Sequence, residues 1–340
     1  MLKHDAEDYD RRKCYSVYHK DDNIRHLGSS GSIFYAVAEF FIKQNGCVYA
    51  SSMDEKLILR HTKSTDLCAI ISQMKSKYIQ SNTAGVYKEV IKDLKSQRKV
   101  LFVGTPCQCQ ALHNMTNTAL RNNLFLVDFI CHGVPSQHLF NMSIAHYEHM
   151  HHCKIIDFSF REKTQKKLRN YKITSLHDNK HIIETIGELY EFPFCVGYFN
   201  HIIQRNSCYK CKLRTIKRAS DLTIGDFWAI ETIRPNTKDF EKGYSSVIVN
   251  SLQGETLLSE LNSCHIEEIC HGVEFVISHN HAYTKPDKKS LMRSIFFYCL
   301  RQFGYNMCEK HFLQKHPHWL DRLLNSLVIR IDKLHKFSLT

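Results

Sequence analysis

Two uninterrupted apolar runs, Val100-Leu101-Phe102-Val103 and Leu124-Phe125-Leu126-Val127, flank a stretch of helical spacing from Gln108 to Leu120. A run with no polar alternation is the pattern of a strand covered on both faces, as in a parallel sheet, so this segment predicts a β-α-β unit. Each strand ends in a small polar turn, Gly104-Thr105-Pro106-Cys107 after the first and Cys131-His132-Gly133 after the second. Parallel neighbours lie about 4.8 Å apart, and open α/β sheets gather their ligands at the carboxyl ends of the strands. Cys107 and Cys131, 24 positions apart in sequence, are thereby expected to meet in space.

Upstream, Ile33, Phe34, Val37, Phe40 and Phe41 recur at helical spacing between Gly31 and Gln44, and the turn Gly28-Ser29-Ser30-Gly31 feeds that helix. A helix start carries free N–H groups and the positive end of the dipole, which suits a phosphate; an ordinary capping turn has the same sequence. The pattern then predicts a strand at Cys47–Ala50, a hairpin through Leu57–Leu59, a helix from Asp66 to Lys75, a polar loop from Ser76 to Ser81 and a helix from Tyr87 to Gln97. After Pro135 a helix carries His138, His146, His149, His151 and His152. His146 and His149 have metal-gripping spacing, but with no completing cysteine or carboxylate they read as a solvated face. Residues 155–190 alternate as antiparallel strands do. A strand at Ser246–Asn250, a helix at Glu255–Leu261 and an apolar stripe with basic flanks from Leu320 to Leu334 follow. The stripe suits packing on the protein's own core or peripheral contact with a membrane surface. The predicted class is α/β: a mixed, partly parallel sheet with flanking helices, an antiparallel β portion and a helical C-terminal extension.

The 340 residues, 43% hydrophobic, favour two packed units with a well-buried core. Residues Met1 to Asp8 are polar and do not read as a secretory leader, and no apolar run approaches membrane-spanning length, so a soluble cytoplasmic protein is expected. In that compartment the 14 cysteines point to metal or redox chemistry instead of disulfides. Cys47, Cys68, Cys195, Cys264, Cys270, Cys299 and Cys308, scattered beside apolar residues, read mainly as small core hydrophobes. The net charge of +12 favours an anionic partner. No zinc-finger, RNP or basic-zipper pattern accompanies it, so nucleic acid is not the expected one.

The remaining chemistry lies in Ser207-Cys208-Tyr209-Lys210-Cys211 and in Asp221 through Trp228. A C-x-x-C knuckle converges two thiolates on one metal, and with Cys107 and Cys131 it makes a four-sulfur set suited to an iron-sulfur cluster or to a closed zinc site. Lys210, Lys212, Arg214, Lys217 and Arg218 crowd the knuckle and should raise the potential of a cluster held there. His132 is the nearby candidate for acid–base catalysis, and a hydrogen-bonding role suits it equally. Cys131 beside His132 also permits a nucleophilic thiol, a weaker reading because sequence adjacency does not give the geometry.

With these motifs in view, the sequence resembles the coenzyme F-420 hydrogenase/dehydrogenase beta-subunit family over about Arg25 to Pro286. The resemblance rests on the Gly28–Gly31 turn, Ser76–Ser81, Gly104–Gln108, Cys131–Ser136, the C-x-x-C knuckle and Asp221–Trp228. It implies FAD, a 4Fe-4S cluster and electron exchange between a reduced carrier, ferredoxin-like or deazaflavin-like, and a small-molecule substrate. It assigns Cys107, Cys131, Cys208 and Cys211 to the cluster. It assigns Ser29, Ser30, Gly31, Ser76, Lys77, Tyr78, Gln80, Ser81, Gly104, Thr105 and Pro106 to the flavin. On this reading 14–97 is an N-terminal flavin-contacting region, 98–286 a C-terminal iron-sulfur/flavin domain and 287–340 the helical extension. Bacterial members also occur among polysaccharide-biosynthesis genes, which suggests a sugar intermediate as substrate. Many begin with a ferredoxin-like module whose cysteine runs this sequence does not show before Cys107, so a ferredoxin-like donor or separate ferredoxin subunit is expected as partner. The other implied roles are a zinc-stabilised scaffold and a catalytically degenerate subunit of a larger complex. Three departures bear on the substrate pocket: Ser32 where a second glycine is common, Cys109-Gln110-Ala111 after the cysteine turn, and Gln165-Lys166-Lys167 in place of a Gly-Trp pair.

Overall fold

The structure, a computed structural model, describes residues 12–164, 168–178, 180–235, 239–289 and 291–314. The chain begins with strand β1 (Cys14–His19), a short helix α1 (Asp22–Leu27) and helix α2 (Ile33–Lys43). Strands β2 (Cys47–Met53) and β3 (Leu59–Ser64) form the expected hairpin. Helix α3 (Leu67–Gln73) follows, started by the Asp66 carboxylate accepting from the Ala69 N–H at 2.8 Å, and then α4 (Val86–Lys95).

The two apolar runs are strands β4 (Val100–Gly104) and β5 (Leu124–Phe129), paired in parallel, with α5 (Pro106–Met115) and the short α6 (Thr118–Arg121) between them. Thr105 and Gln108 form a reciprocal capping box at the start of α5, with Pro106 in its first turn. Helix α7 (Gln137–His151) leads to an antiparallel sheet of β6 (Cys153–Glu162), β7 (Asn170–His177) and β8 (His181–Glu188), as the alternation predicts. The chain continues through α8 (Pro193–Phe199), β9 (Leu222–Asp226), β10 (Ser245–Val249), α9 (Leu252–Glu260), β11 (Cys264–Glu268), α10 (Gly272–His279) and α11 (Leu291–Phe312).

The main sheet runs β11-β1-β10-β9-β5-β4-β2-β3. Its centre, β9-β5-β4-β2, is parallel, and both flanks are antiparallel, so the fold is mixed α/β. One face buries Ile33, Val37 and Phe41 of α2 with Leu257 and Leu258 of α9. The other buries Val86, Val90 and Leu94 of α4 with Cys109 and Leu112 of α5. The small sheet packs Phe158 and Phe160 on Phe140 of α7, Phe194 of α8 and Phe296 of α11. No helix among the described residues is long and apolar enough to cross a membrane. The Leu320–Leu334 stripe and Gln165–Lys167 lie outside the described residues.

Two expectations change. Cys47, Cys195, Cys264 and Cys308 are buried as small hydrophobes, whereas Cys68, on helix α3, and Cys270, in the turn after β11, are exposed. His146 is not on a solvated face: its side chain, 16% exposed, lies 3.6 Å from Glu309 on α11 and packs on Tyr305.

Candidate functional site

Strands β4, β5 and β9 are parallel, so Gly104–Cys107, Cys131–His132 and Asp226–Trp228 leave the sheet at one edge. A cavity of 420 Å³ opens there. Its wall includes every residue the resemblance assigns to a flavin except Gly31 and Pro106, and it also includes Cys107, Cys131 and His132. Cys208 and Cys211 do not line it.

The loops on this wall are held by bonds between distant segments. The Ser30 hydroxyl donates to the Tyr244 carbonyl, the Gly31 N–H to Ser245 Oγ at 3.0 Å, and the Ser76 N–H to Ser29 Oγ at 2.8 Å. Ser32, the departure from a family glycine, has left-handed backbone (φ 64°), and its hydroxyl donates to the Ile24 and Arg25 carbonyls. That hydroxyl occupies the space where a Cβ on Gly28 would stand, so Ser32 and Gly28 form a matched pair.

Two cations of the small sheet were not legible in the sequence. Arg161, 5% exposed, donates to Asp226 Oδ2 at 2.9 Å, to the Tyr78 hydroxyl at 3.2 Å and to the Ser29 carbonyl at 2.8 Å. Lys163 Nζ donates to the carbonyls of Arg25, Ser30 and Lys242 at 2.6, 2.5 and 2.7 Å. Together they clasp the Ser29–Ser30 turn, the Tyr78 loop and the end of β9. Lys77, a predicted flavin contact, uses its ammonium to cap α3, donating to the carbonyls of Gln73, Met74 and Lys75. Burial and the neighbouring Lys75 push that amine down to about 7. His61 on β3 is also on the wall. Its Nε2–H donates to the Val103 carbonyl and its Nδ1 accepts from Ser81, a neutral tautomer fixed by an acceptor-only partner.

The knuckle sits on a one-turn helix, Asn206–Lys210, and is joined to the Cys131 loop by the Arg205 N–H donating to the Val134 carbonyl at 3.0 Å. Gly133 has φ +92°, and a Cβ there would stand 3.1 Å from the Cys208 Cβ and 2.9 Å from Gln204 Cγ, so only glycine lets the two thiol loops approach. Arg293 of α11, 8% exposed, donates twice to the Gln204 carbonyl and braces the knuckle from behind. Burial pushes the Cys131 thiol up to about 12, and the Cys107 and Cys208 thiols add to the shift. Cys107 is raised in the same sense by burial, then by Cys211 and Cys208, while Thr105 opposes. Cys107 thus feels both knuckle thiols, and Cys131 feels Cys107 and Cys208. Among the described residues, however, no three His, Cys, Asp or Glu side chains converge closely enough to hold a single metal ion. The expected basic field is also smaller than the sequence count: Arg214 pairs with Asp287 at 2.8 Å and Arg218 with Asp128 at 3.3 Å, both pairs buried.

His132 tilts against Trp228 at 5.5 Å, and burial, then Arg214, push its imidazole down to about 4. The shift favours the neutral imidazole. A second chamber of 680 Å³ shares Ser29, Ser30, Arg161, Asp226 and Trp228 with the first.

In a mixed α/β sheet, the carboxyl ends of the parallel strands, here glycine- and cysteine-bearing turns around a cavity, are where open α/β folds place their ligand sites. Residues 97–271 match the family described as the C terminus of the coenzyme F420 hydrogenase/dehydrogenase beta subunit, and the chain belongs to that family. The family places it among redox proteins that transfer electrons. A solved chain of the F420-reducing [NiFe] hydrogenase complex from Methanosarcina barkeri is similar in fold, with a TM-score of 0.54 and 14% identity over 88% of this chain and 96% of that one. No curated protein matches the chain.

Proposed function

We propose that this protein binds FAD in the 420 Å³ cavity and one 4Fe-4S cluster through Cys107, Cys131, Cys208 and Cys211. In this reading it passes electrons between a one-electron donor of ferredoxin type and a small-molecule substrate. The observation that supports it most is that the Ser29–Ser30, Ser76–Ser81 and Gly104–Thr105 segments share one wall with two of the four thiols.

The lining of the cavity favours the flavin. The start of α2 contributes Ile33 to the wall, and free N–H groups at a helix start favour a pyrophosphate. Tyr78 and Tyr198, stacked at 4.7 Å, offer an aromatic surface for a ring system. The thiol set contains no carboxylate, and Gly133 leaves the approach between its loops open. When bound, the flavin supplies two-electron chemistry and the cluster a one-electron relay. Arg161 and Lys163 fix the turn that meets the flavin, and the second chamber, sharing Arg161 and Trp228, is where a substrate can reach it.

Anaerobic isolation tests this. A brown protein with about four iron and four labile sulfide per chain, and an extracted flavin identified as FAD, is the expected outcome. A colourless protein carrying one zinc would overturn it in favour of the zinc-stabilised scaffold.

A further inference from the structure

Where the thiol loops meet the cavity, Asp287 gathers three side chains from different segments. Its Oδ2 accepts from Arg214 at 2.8 Å and lies 3.3 Å from His201 Nδ1, and its Oδ1 lies 2.7 Å from His281 Nε2. Burial alone would raise this carboxyl, but hydrogen bonds from Arg214 and His281 outweigh it and hold it below the usual range. An ionised carboxylate can only accept, so His281 carries a proton on Nε2, and Nδ1 is the ring nitrogen outside that bond.

Most other titratable groups on the wall are committed or more buried; His201, the second histidine on Asp287, is 30% exposed against 60% for His281. Both nitrogens of His61 are bonded, the Lys77 ammonium is taken by three carbonyls, Lys75 pairs with Glu162 at 2.7 Å, and Arg161 holds Asp226 and Ser29. His132 is tilted against Trp228. Among the described residues, His281 alone combines a place on the wall and a carboxylate anchor with a side chain 60% exposed to water. The groups facing it are Asp287, the His132 ring at 6.4 Å and, through Asp287, His201 and Arg214.

We propose that His281, oriented by Asp287, is the acid–base group that carries protons between solvent and the flavin cavity. This rests on the reading that the cavity holds a flavin. Electrons arriving singly from a ferredoxin-class donor bring no protons, so each two-electron reduction of the flavin draws one from outside. The Nδ1–H bond of the His281 imidazolium breaks, its proton goes to the flavin, and the neutral imidazole recovers a proton from water. A substrate that takes the electron pair as hydride carries that proton away with it, and only an acceptor of electrons alone returns it through the same group.

The test uses the full chain with His281→Ala and Asp287→Asn. FAD affinity is measured first, and then anaerobic flavin reduction by reduced methyl viologen at pH 7. For His281→Ala the expected result, at FAD concentrations that saturate each chain by its own measured Kd, is reduction slowed at least tenfold, with rate restored by added imidazole. In the cofactor-free chain, ¹⁵N-histidine NMR should show one tautomer at His281 and a mixture in Asp287→Asn. An unchanged reduction rate, or a loss that imidazole does not restore, overturns the assignment while leaving the flavin reading intact. A parent chain that binds no FAD overturns both.

Discussion

Replacing Arg161 by methionine keeps the length of the side chain and removes the charge that joins three parts of the site. The side chains of Arg161 and Asp226 are 5% and 23% exposed. Removing one member of a buried pair costs about 3–5 kcal/mol, because the partner is left charged without compensation. The partial exposure of Asp226 lowers this to about 2–4 kcal/mol. Burial would raise the Asp226 carboxyl, but the Arg161 charge and hydrogen bond outweigh it and hold it below its ordinary value of 3.8. A carboxyl depressed by folding contributes stability above its unfolded value and loses it as pH falls through the folded one. The deficit of Arg161→Met is therefore largest near neutral pH and shrinks on acidification, as the stranded Asp226 takes up a proton. Adding Asp226→Asn leaves no buried charge and should return at least about 1 kcal/mol of the loss. Urea unfolding of the single and double variants at pH 7 and pH 4.5 measures all of this. A single-variant loss below about 1 kcal/mol, a strictly additive cycle, or a deficit that does not shrink at pH 4.5 would refute the reasoning.

Three further outcomes are expected. Gly133→Ala places a Cβ against Cys208 and Gln204 at positive φ, a strain of about 1–3 kcal/mol, and should lower iron content in anaerobically isolated protein more than the conservative Ala111→Gly does. Cys208→Ser should lose iron by elemental analysis while keeping its far-ultraviolet circular dichroism; retained iron would remove Cys208 from the ligand set. Burial holds the His61 imidazole at about 4 against an ordinary 6.5, so between these values the unfolded chain binds a proton that the folded chain does not. Its contribution is complete above about pH 6.5 and falls on acidification by up to about 1.4 kcal/mol per pH unit, a slope that His61→Gln should flatten in denaturant titrations across that window.

The β-α-β unit was legible because an apolar run buried on both faces leaves no polar alternation, and because the turns that follow each strand carry the chemistry. The alternation of residues 155–190 likewise specified the antiparallel sheet. What joins the site was not legible. Arg161 and Lys163 look like ordinary basic residues at a strand end, and their partners are mostly backbone carbonyls at Ser29, Ser30, Arg25 and Lys242, which no side-chain pattern records. Asp287 and Arg293 lie beyond every motif, yet they hold His281 and the knuckle. The count of positive residues near the C-x-x-C pair misled for a related reason: Arg214 and Arg218 are matched by Asp287 and Asp128, distant in sequence and adjacent in space.

Strand β1 lies between β10 and β11, Cys14 opposite Ile248 and His19 opposite Cys264. The turn that follows it is pinned by Tyr244 and Ser245, more than two hundred residues later. Contacts so far apart in sequence form slowly and only once both partners exist. A ribosome must therefore release everything from β1 through β11 before the cavity has all its walls, so any ligand of that cavity can enter only after those strands have paired. A fragment trimmed to residues 97–271 would lack the strand that β10 and β11 share, and it would leave open the two edges that β1 pairs in the native sheet.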